Sequence, residues 1–382
     1  MPLTRRQTLA LFGGGVILAA TGAITTFLTT RTPTKALQPW QIAGQGYADP
    51  RLDTVSWAIL APNPHNRQPW IVRLDGDDGF TLYADPERRL PTTDPFDRQI
   101  AIGLGCFLEI ARQAAAQNGF RLNVEPFPEG ENAERLDQRP VARARLLSGG
   151  NADPLFAHVA ARRSCKEPYD MARPVSDGTM NTVLTSAGAG VRAAGTANAA
   201  KVTDLRNLGW RGHVIEIETP RTLQESIDLM RLGRAEIEAN PDGIDLGGPF
   251  LETLNLTGLL TRESMADRTS ESYRQGLEMY RALFDNTPAF VWLATAGNTR
   301  RDHLAAGAAW VRMNLAATGL GVAMHPISQT LQEYPEMAAL YAEAHERLAN
   351  PGETVQMLGR LGYGPTVAPS PRWPLTTRIE TA

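Results

Sequence analysis

Two stretches of the sequence repeat each other at a constant offset of 202 residues. Residues 105–119 and 307–321 each begin with glycine, continue through small residues and end with glycine. Arg98 and Arg300 keep the same offset upstream. Small residues let helices approach closely, and glycine tolerates the left-handed conformation that ends a helix. The repeat therefore predicts two equivalent helices and a duplicated unit, although two alanine-rich helices can also match by chance.

The composition admits a large core and excludes several classes of protein. The chain has 382 residues, of which 42% are hydrophobic and 21% charged, as expected for two packed domains or one duplicated unit. A net charge of −3 argues against a broad nucleic-acid-binding surface. Two cysteines and six scattered histidines predict neither a disulfide framework nor a metal site. The sequence has no hydrolase nucleophile elbow, P-loop or dinucleotide fingerprint.

The N-terminus has the pattern of an export signal. Arg5 and Arg6 precede an uncharged, glycine-diluted run that continues to Arg31. This pattern resembles a twin-arginine signal over residues 1–35, which predicts the twin-arginine translocase as a partner. The expected location is the periplasm or the outer face of the cytoplasmic membrane. Residues 9–30 are also long enough to span a bilayer, so a retained membrane anchor is the alternative.

The hydrophobic pattern after a linker at residues 35–50 predicts both helices and strands. Residues 70–74 and 80–83 alternate as the two strands of a hairpin. Residues 231–285 are more polar and contain strong turn signals, which indicates a lid or insertion, or else ordinary helical packing. The other predicted elements are helices at 52–60 and 100–117 and strands at 122–125, 142–147, 289–296 and 355–363.

Three segments carry side chains suited to binding an anion and a heterocycle. Residues 161–170 place two arginines, a serine and a lysine in one turn, and Arg372 lies between prolines in the tail. Arginine forms bidentate bonds with phosphate, and lysine supplies a compact positive charge. The loop 61–70 offers the amides of Asn66 and Gln68, while Trp70 reads as core. The alternatives are a solvated basic turn and an ordinary surface tail.

These motifs resemble the FMN-binding nitroreductase family, and in particular its Acg-like branch, in which one chain mimics the usual dimer. The likeness covers residues from about 50 onward and is poor over 231–285. The motifs that carry it are Arg162-Arg163-Ser164-x-Lys166, Asn66-x-Gln68-Pro69-Trp70, Asp94-Pro95-x-x-Arg98, Leu320-Gly321-x4-Pro326-Ile327 and Pro371-Arg372.

The resemblance implies an α+β fold built as an intramolecular pseudo-dimer. Its two halves, residues 50–150 and 151–382, would each have a mainly antiparallel sheet flanked by helices. The first half has the asparagine loop and lacks the cationic turn, whereas the second half has the turn and lacks the loop. We therefore expect one composite FMN site between the halves, in a chain that acts as a monomer.

The resemblance also assigns roles to individual residues. Arg162, with Arg163 beside it, Ser164 and Arg372 would hold the phosphate and ribityl chain, and Lys166 would face the N1/O2 side of the flavin ring. The residues that would line the ring from the other half are Pro62, Asn63 and Asn66. Ser328 and Gln329 replace the Glu-Gly pair that is common in the family, so they would offer backbone donors near N5.

Two functions remain open on the sequence. The first is an oxidoreductase in which a reduced nicotinamide or another donor reduces FMN, which then reduces a nitroaromatic, quinone or similar acceptor. The flavin carries that chemistry, so no catalytic acid–base pair is expected. The second is a non-catalytic protein that binds and sequesters flavin.

Overall fold

A computed structural model describes residues 31–380. The predicted export signal or anchor therefore lies almost wholly outside the described residues. Within residues 31–380, none of the helices combines the length and apolar character required to cross a bilayer.

The described chain alternates between helices and strands. The helices are α1 (Thr34–Ile42), α2 (Pro50–Ala58), α3 (Arg98–Gln117), α4 (Asp177–Thr185), α5 (Ala199–Glu218), α6 (Pro220–Asp228), α7 (Gly233–Ala239), α8 (Pro249–Leu256), α9 (Arg262–Ala266), α10 (Glu271–Asp285), α11 (Arg300–Gly319) and α12 (Ala338–Leu348). The strands are β1 (Trp70–Asp75), β2 (Gly79–Ala84), β3 (Phe120–Pro126), β4 (Ala142–Ser148), β5 (Arg192–Thr196), β6 (Met230–Leu232), β7 (Ile244–Leu246), β8 (Ala289–Thr295), β9 (Ala323–Pro326), β10 (Thr354–Gly362) and β11 (Ile379–Glu380).

The first sheet has the strand order β11-β1-β2-β4-β3. The predicted hairpin is confirmed, because β1 and β2 pair in antiparallel register with Val72 opposite Leu82. The C-terminal strand β11 joins the free edge of β1 in parallel, with Ile379 opposite Val72. Strand β11 thus covers the edge of β1 that faces away from β2.

The second sheet has the order β5-β8-β10-β9, and all of its pairs are antiparallel. This order matches β1-β2-β4-β3 of the first sheet, strand for strand along the chain. In each set a helix precedes the first strand, and a 20-residue helix, α3 or α11, joins the second strand to the third. The predicted α+β class with mainly antiparallel sheets is confirmed.

The two strand sets differ in the connection between their first two strands. A tight turn joins β1 to β2, whereas residues 197–288 join β5 to β8 and contain α5 to α10 and the small parallel pair β6–β7. We call residues 197–288 the insertion. It contains the predicted lid region 231–285, whose role as a lid stays a prediction.

Helices α3 and α11 pack closely through their glycines. A Cβ atom added to Gly105 would collide with the carbonyl of Leu304, and one added to Gly307 would collide with the carbonyl of Ile102. The Cβ position of Gly307 is also 2.9 Å from the Cα of Gly105. Only glycine permits this backbone approach. The buried apolar residues around this crossing form one core that extends into both sheets.

The repeated arginines at the start of α3 and α11 each reach backbone carbonyls of a distant segment. Arg98 donates to the carbonyls of Gln356, at 2.7 Å, and Leu331. Arg300 donates to the carbonyls of Asn132, at 2.9 Å, and Ala133, at 3.1 Å. Both side chains are about 98% buried or more. Each half of the sequence therefore anchors the N-terminus of its long helix on backbone carbonyls of the other half.

The prediction of a linker at residues 35–50 is wrong in its first part. Residues Thr34–Ile42 form α1, which buries Ala36 and Pro39. Trp40 donates from its indole nitrogen to the carbonyl of Ser370 at 2.8 Å. The helix has nine residues and contains a proline, so its stability comes from this packing rather than from local helix propensity.

Candidate cofactor site

The cationic turn lies beside strand β9. The backbone N–H of Cys165 donates to the carbonyl of Met324 at 3.1 Å, and Ser164 forms an isolated parallel bridge with Met324. Arg162 is 97% buried, and it donates to the carbonyl of Leu60 at 3.0 Å and to Asn314 Oδ1 at 3.3 Å. Burial lowers the pKa of Arg162 to about 10. The turn thus points a buried cation at the segment that precedes the asparagine loop.

Arg372 of the C-terminal tail reaches the same segment. It donates to the carbonyl of Ile59 at 2.9 Å, and to those of Leu60 and Ala61, each at 3.1 Å. It also donates to Asn66 Oδ1 at 2.6 Å. Burial, together with the charge of Arg162, lowers the pKa of Arg372 to about 9. The sequence motifs at 62–66, 162–166 and 371–372 therefore meet in space.

We call Arg162, Arg163 and Arg372 the arginine cluster, and the carboxylate of Asp245 acts electrostatically on Arg372. Among residues 31–380, none of the three forms an ion pair with a carboxylate. The Nε atoms of Arg162 and Arg163 are buried without a hydrogen-bond partner. Buried cations and unpaired buried donors are costly, so this arrangement fits an anion with several acceptor oxygens, such as a phosphate.

The asparagine loop has a strained backbone that its own side chains support. His65, Asn66 and Gln68 have φ values of 46°, 52° and 52°, in the left-handed region. Asn63 Oδ1 accepts from the backbone N–H of Gln68 at 2.6 Å. The ring of Pro62 is partly exposed beside these residues. Strain of this kind persists only where the surroundings fix it, and it is common at ligand sites.

The side-chain amides of the loop are used within the protein. Asn66 Nδ2 donates to the carbonyl of Pro371 at 2.9 Å. Gln68 is fully buried; its Nε2 donates to the carbonyl of Pro241 at 2.7 Å, and its Oε1 accepts from the N–H of Trp373 at 2.9 Å. These amides join the loop to the insertion and to the tail. The expected contacts of Pro62, Asn63 and Asn66 with a flavin ring stay a prediction.

Lys166 is exposed, and it acts electrostatically on ionisable groups of other elements. Burial lowers the pKa of His65 to about 4, and the charge of Lys166 adds to this effect. Burial raises the pKa of Asp245, while Lys166 acts in the opposite direction. Burial also lowers the pKa of His325, with contributions from Arg360 and Lys166. Loop, turn, β9 and insertion thus surround the lysine.

Ser328 and Gln329 follow β9. Gln329 borders a cavity of about 30 Å³, which Tyr280, His325 and Arg360 also line. The Oε1 atom of Gln329 is buried without a hydrogen-bond partner. A cavity of this size holds about one water molecule. The role of Ser328 and Gln329 near a flavin N5 stays a prediction.

The insertion is fastened to the first half by buried carboxylates that the sequence analysis did not identify. Asp242 accepts from Arg88 at 2.6 Å, from Arg231 at 2.8 Å and from Arg67 at 3.2 Å. The Asn-Pro-Asp-Gly turn signal at 240–243 marked this position but not its partners. A second contact comes from α6, where Glu225 accepts from the backbone N–H groups of Thr92 and Thr93 at 2.8 and 2.9 Å.

Metal chemistry has no visible support in the described part of the chain. Residues 31–380 contain no group of three or more histidine, cysteine, aspartate or glutamate side chains that could hold a metal ion. Both cysteines are buried, and burial raises the pKa of Cys106 to about 12.

Two curated proteins of Mycobacterium tuberculosis are similar to this chain. "Putative NAD(P)H nitroreductase Rv3131" is 26% identical over 333 residues, which cover 85% of this chain and 89% of that protein. This chain resembles a named nitroreductase along most of its length. "Putative NAD(P)H nitroreductase acg" is 32% identical over 119 residues, which cover 30% of this chain and 36% of that protein. These relatives support the resemblance predicted from the motifs. No family model matches the chain.

Solved nitroreductase structures overlap with this chain only loosely. The FMN-dependent nitroreductase NfnB of Mycobacterium smegmatis, in complex with NADPH, is 17% identical and covers 58% of this chain and 94% of its own, with a TM-score of 0.35. A nitroreductase of Desulfitobacterium hafniense with bound FMN is 16% identical and covers 60% of this chain and 98% of its own, with a TM-score of 0.34. These TM-scores are too low to place any residue of the site.

Proposed function

We propose that the chain is an FMN-dependent oxidoreductase of the nitroreductase type. The observation that carries the proposal is the arginine cluster, which is buried, has no carboxylate partner among the described residues and contacts the asparagine loop of the other half. A flavin mononucleotide has a dianionic phosphate and a neutral heterocycle, so it fits a site with unpaired guanidinium groups at one end. The two curated relatives are named as NAD(P)H nitroreductases, which agrees with this chemistry.

The residues present fit the phosphate end of FMN. Arg162, Ser164 and Arg372 would hold the phosphate, since the guanidinium groups are buried and the serine lies in the same turn. When bound, FMN supplies hydride transfer between a donor and an acceptor. Lys166 would stabilise negative charge at the other end of the cleft, because its ammonium group already acts electrostatically on His65 and Asp245.

We also propose that the chain is an intramolecular pseudo-dimer with one composite site. The equal strand orders of the two sheets and the reciprocal packing of Gly105 and Gly307 support this. So does the crossed anchoring of Arg98 and Arg300. The site takes its loop from residues 50–150 and its cationic turn from residues 151–382, and the chain acts as a monomer.

The partners of the reaction belong to the proposal as well. A small-molecule donor, either NAD(P)H or another electron carrier, would reduce the flavin, and a nitroaromatic, quinone or similar compound would accept the electrons. The arginine pair at Arg5 and Arg6 supports export by the twin-arginine translocase, with the protein in the periplasm or on the outer face of the cytoplasmic membrane.

A second function, flavin sequestration without turnover, is favoured by one observation. The insertion is bound to the first half beside the loop through Asp242 and Glu225. A covered cleft would bind flavin and exclude substrates. Mixing the yellow protein with NADH or NADPH in a stopped-flow instrument, followed by a quinone or nitroaromatic compound, separates the two functions. Reduction and reoxidation support the enzyme, whereas flavin that every donor leaves oxidised supports sequestration.

The flavin site itself is tested by a double substitution. We expect the wild-type protein to bind one FMN per chain and the Arg162→Ala, Ser164→Ala variant to bind it about 100-fold more weakly, because charge-assisted hydrogen bonds contribute about 1.5–3 kcal/mol each. The matched control is Arg143→Ala with Ser148→Ala, which removes the same residue types from exposed positions near the two ends of β4. Stoichiometric FMN in the site variant, or none in the wild type, would refute the proposed site.

A further inference from the structure

The indole ring of Trp40 lies over the whole arginine cluster. The guanidinium carbon is 4.8 Å from the ring centroid for Arg163, 5.2 Å for Arg372 and 5.8 Å for Arg162. All three distances fall within the roughly 6 Å range of cation–π attraction. The Trp40 ring thus lies within reach of three cations that come from two distant parts of the chain.

Helix α1 holds this tryptophan in place by bonds to the tail that carries Arg372. The indole N–H of Trp40 donates to the carbonyl of Ser370 at 2.8 Å. The backbone N–H of Arg372 in turn donates to the carbonyl of Ala36 at 2.8 Å. Beyond the helix, the N–H of Gly44 donates to Ser56 Oγ at 2.8 Å, which fixes the next turn against α2. The ring and the arginine therefore belong to one bonded unit.

An aromatic face affects the cluster differently from a carboxylate. The guanidinium groups of Arg162 and Arg372 are buried and that of Arg163 is partly exposed. The three groups repel one another, and a carboxylate paired with them would neutralise the charge that an anionic ligand needs. The quadrupole of indole attracts each cation without removing its charge. The ring also covers one side of the cluster and displaces water, which strengthens electrostatic attraction for a bound anion.

We propose that Trp40 is a positioning residue for the phosphate end of the flavin nucleotide. It holds Arg162, Arg163 and Arg372 in the arrangement that receives the phosphate group and shields that group from water. This inference rests on the proposed function. It adds to the site a residue that lies outside the asparagine loop, the cationic turn and the tail with Arg372. Residues 34–42 then form part of the binding site rather than a connector.

The test compares two ligands that differ only at the phosphate. The dissociation constants of FMN and riboflavin are measured by flavin fluorescence for the wild type and for Trp40→Leu. We expect the substitution to weaken FMN binding about 10-fold and to leave riboflavin binding within about twofold, because riboflavin has nothing to place among the arginines. Trp40→Phe keeps a weaker aromatic face and should lower the preference for FMN about threefold.

The control is Trp292→Leu. Trp292 is also partly buried, and its indole N–H also donates to a backbone carbonyl, that of Leu348, at 3.0 Å. It lies on the second sheet and does not contact the arginine cluster, so its loss should leave the ratio of the two dissociation constants unchanged. A circular-dichroism melt of each apoprotein verifies that the variants are folded.

The outcomes are distinct. An unchanged ratio in Trp40→Leu, or an equal loss for FMN and riboflavin, overturns the role of Trp40 while leaving the flavin site in place. If Trp40→Leu does not fold, the Phe variant decides, and an unchanged ratio there overturns the inference. A wild-type protein that binds neither ligand refutes the proposed function instead.

Discussion

Gly105 and Gly307 lie against each other where α3 and α11 cross, and each opposes the carbonyl of the residue three positions before the other, Leu304 or Ile102. The relation is reciprocal, as in the contact between two subunits related by a twofold axis. The 202-residue offset in the sequence thus corresponds to a symmetric helix crossing. The crossing sets the distance between the two sheets and hence the position of the loop relative to the cationic turn.

Substitution of Gly307 by alanine should destabilise the protein. The new methyl group would lie inside the backbone of α3, and overpacking of this kind costs about 1–3 kcal/mol. Gly276→Ala is the matched control, because it also changes a helical glycine but meets no atom within 4 Å. Alanine at this position should raise the free energy of unfolding by as much as about 1 kcal/mol. Urea denaturation followed by circular dichroism measures both changes, and equal effects would contradict the close crossing.

Replacement of Arg372 by lysine should weaken the joint between tail and loop. A lysine head group cannot reach the carbonyls of residues 59–61 and Asn66 Oδ1 together, so buried acceptors lose their donor. We expect a loss of about 2–4 kcal/mol in the free energy of unfolding. Arg347→Lys, at a surface pair with Glu343, should change it by less than about 0.5 kcal/mol. A similar result for both variants would show that the tail contributes little to stability.

Asp242 should stabilise the protein over a defined pH range. Burial raises its pKa, but the hydrogen bond from Arg231 and the charges of Arg67, Arg231 and Arg88 outweigh this, so the net pKa lies below the ordinary value. The stabilisation is therefore present above the unfolded-state pKa of about 3.9 and is lost as the pH falls through the lower folded-state value. Asp242→Asn should cost about 3 kcal/mol at pH 7 and show less acid sensitivity.

The control for this prediction is Asp285→Asn. Asp285 pairs with Arg281 on the surface of α10, and its side chain is 50% exposed. The loss of such a pair changes stability by about 0.5 kcal/mol or less. Chemical denaturation at pH 3 and pH 7 gives both values, and an Asp242 variant as stable as this control at pH 7 would contradict the three-arginine contact.

Glu216 should give the opposite pH dependence. Burial raises its pKa to about 7, although hydrogen bonds with Gln332 and Ser226 act against this. The folded protein keeps this proton where the unfolded chain has released it, so stability falls as the pH rises from about 4.5 to 7. Glu216→Gln should remove up to about 3 kcal/mol of that dependence. Chemical denaturation at pH 5 and pH 7.5 measures this dependence. If the free energy of unfolding changes equally between the two pH values in wild type and variant, the burial of an ionisable carboxyl is contradicted.

Elements with a strong local pattern were predicted correctly. The long apolar run of α3 fits a helix that is buried on nearly all sides, and the alternation of residues 70–74 and 80–83 fits the two strands of a hairpin. The meeting of Asn66 with Arg372 was predicted as well, because the motifs that carry these residues resemble a family with a composite site. These features were predicted from local sequence patterns and motifs alone.

Other parts of the site depend on contacts between distant residues that no local pattern encodes. Trp40 lies in a proline-containing segment without helical periodicity, and its helix exists because of the tail, 330 residues away. Asp242 belongs to an ordinary turn signal, and its arginine partners Arg67 and Arg88 come from another half of the chain. No local signal marks Trp40, which precedes the asparagine loop and both basic motifs in the sequence.

The pairing of β11 with β1 has a consequence for how the protein is made. During translation β1 is synthesised long before β11, so one edge of β1 is open at first. In the same way, the carbonyl of Leu60 is synthesised 312 residues before Arg372, which donates to it in the folded protein. An open strand edge is a site of aggregation until it is covered. Until residues 372–380 have been synthesised, β1 therefore keeps an open edge and the carbonyl of Leu60 lacks its bond to Arg372.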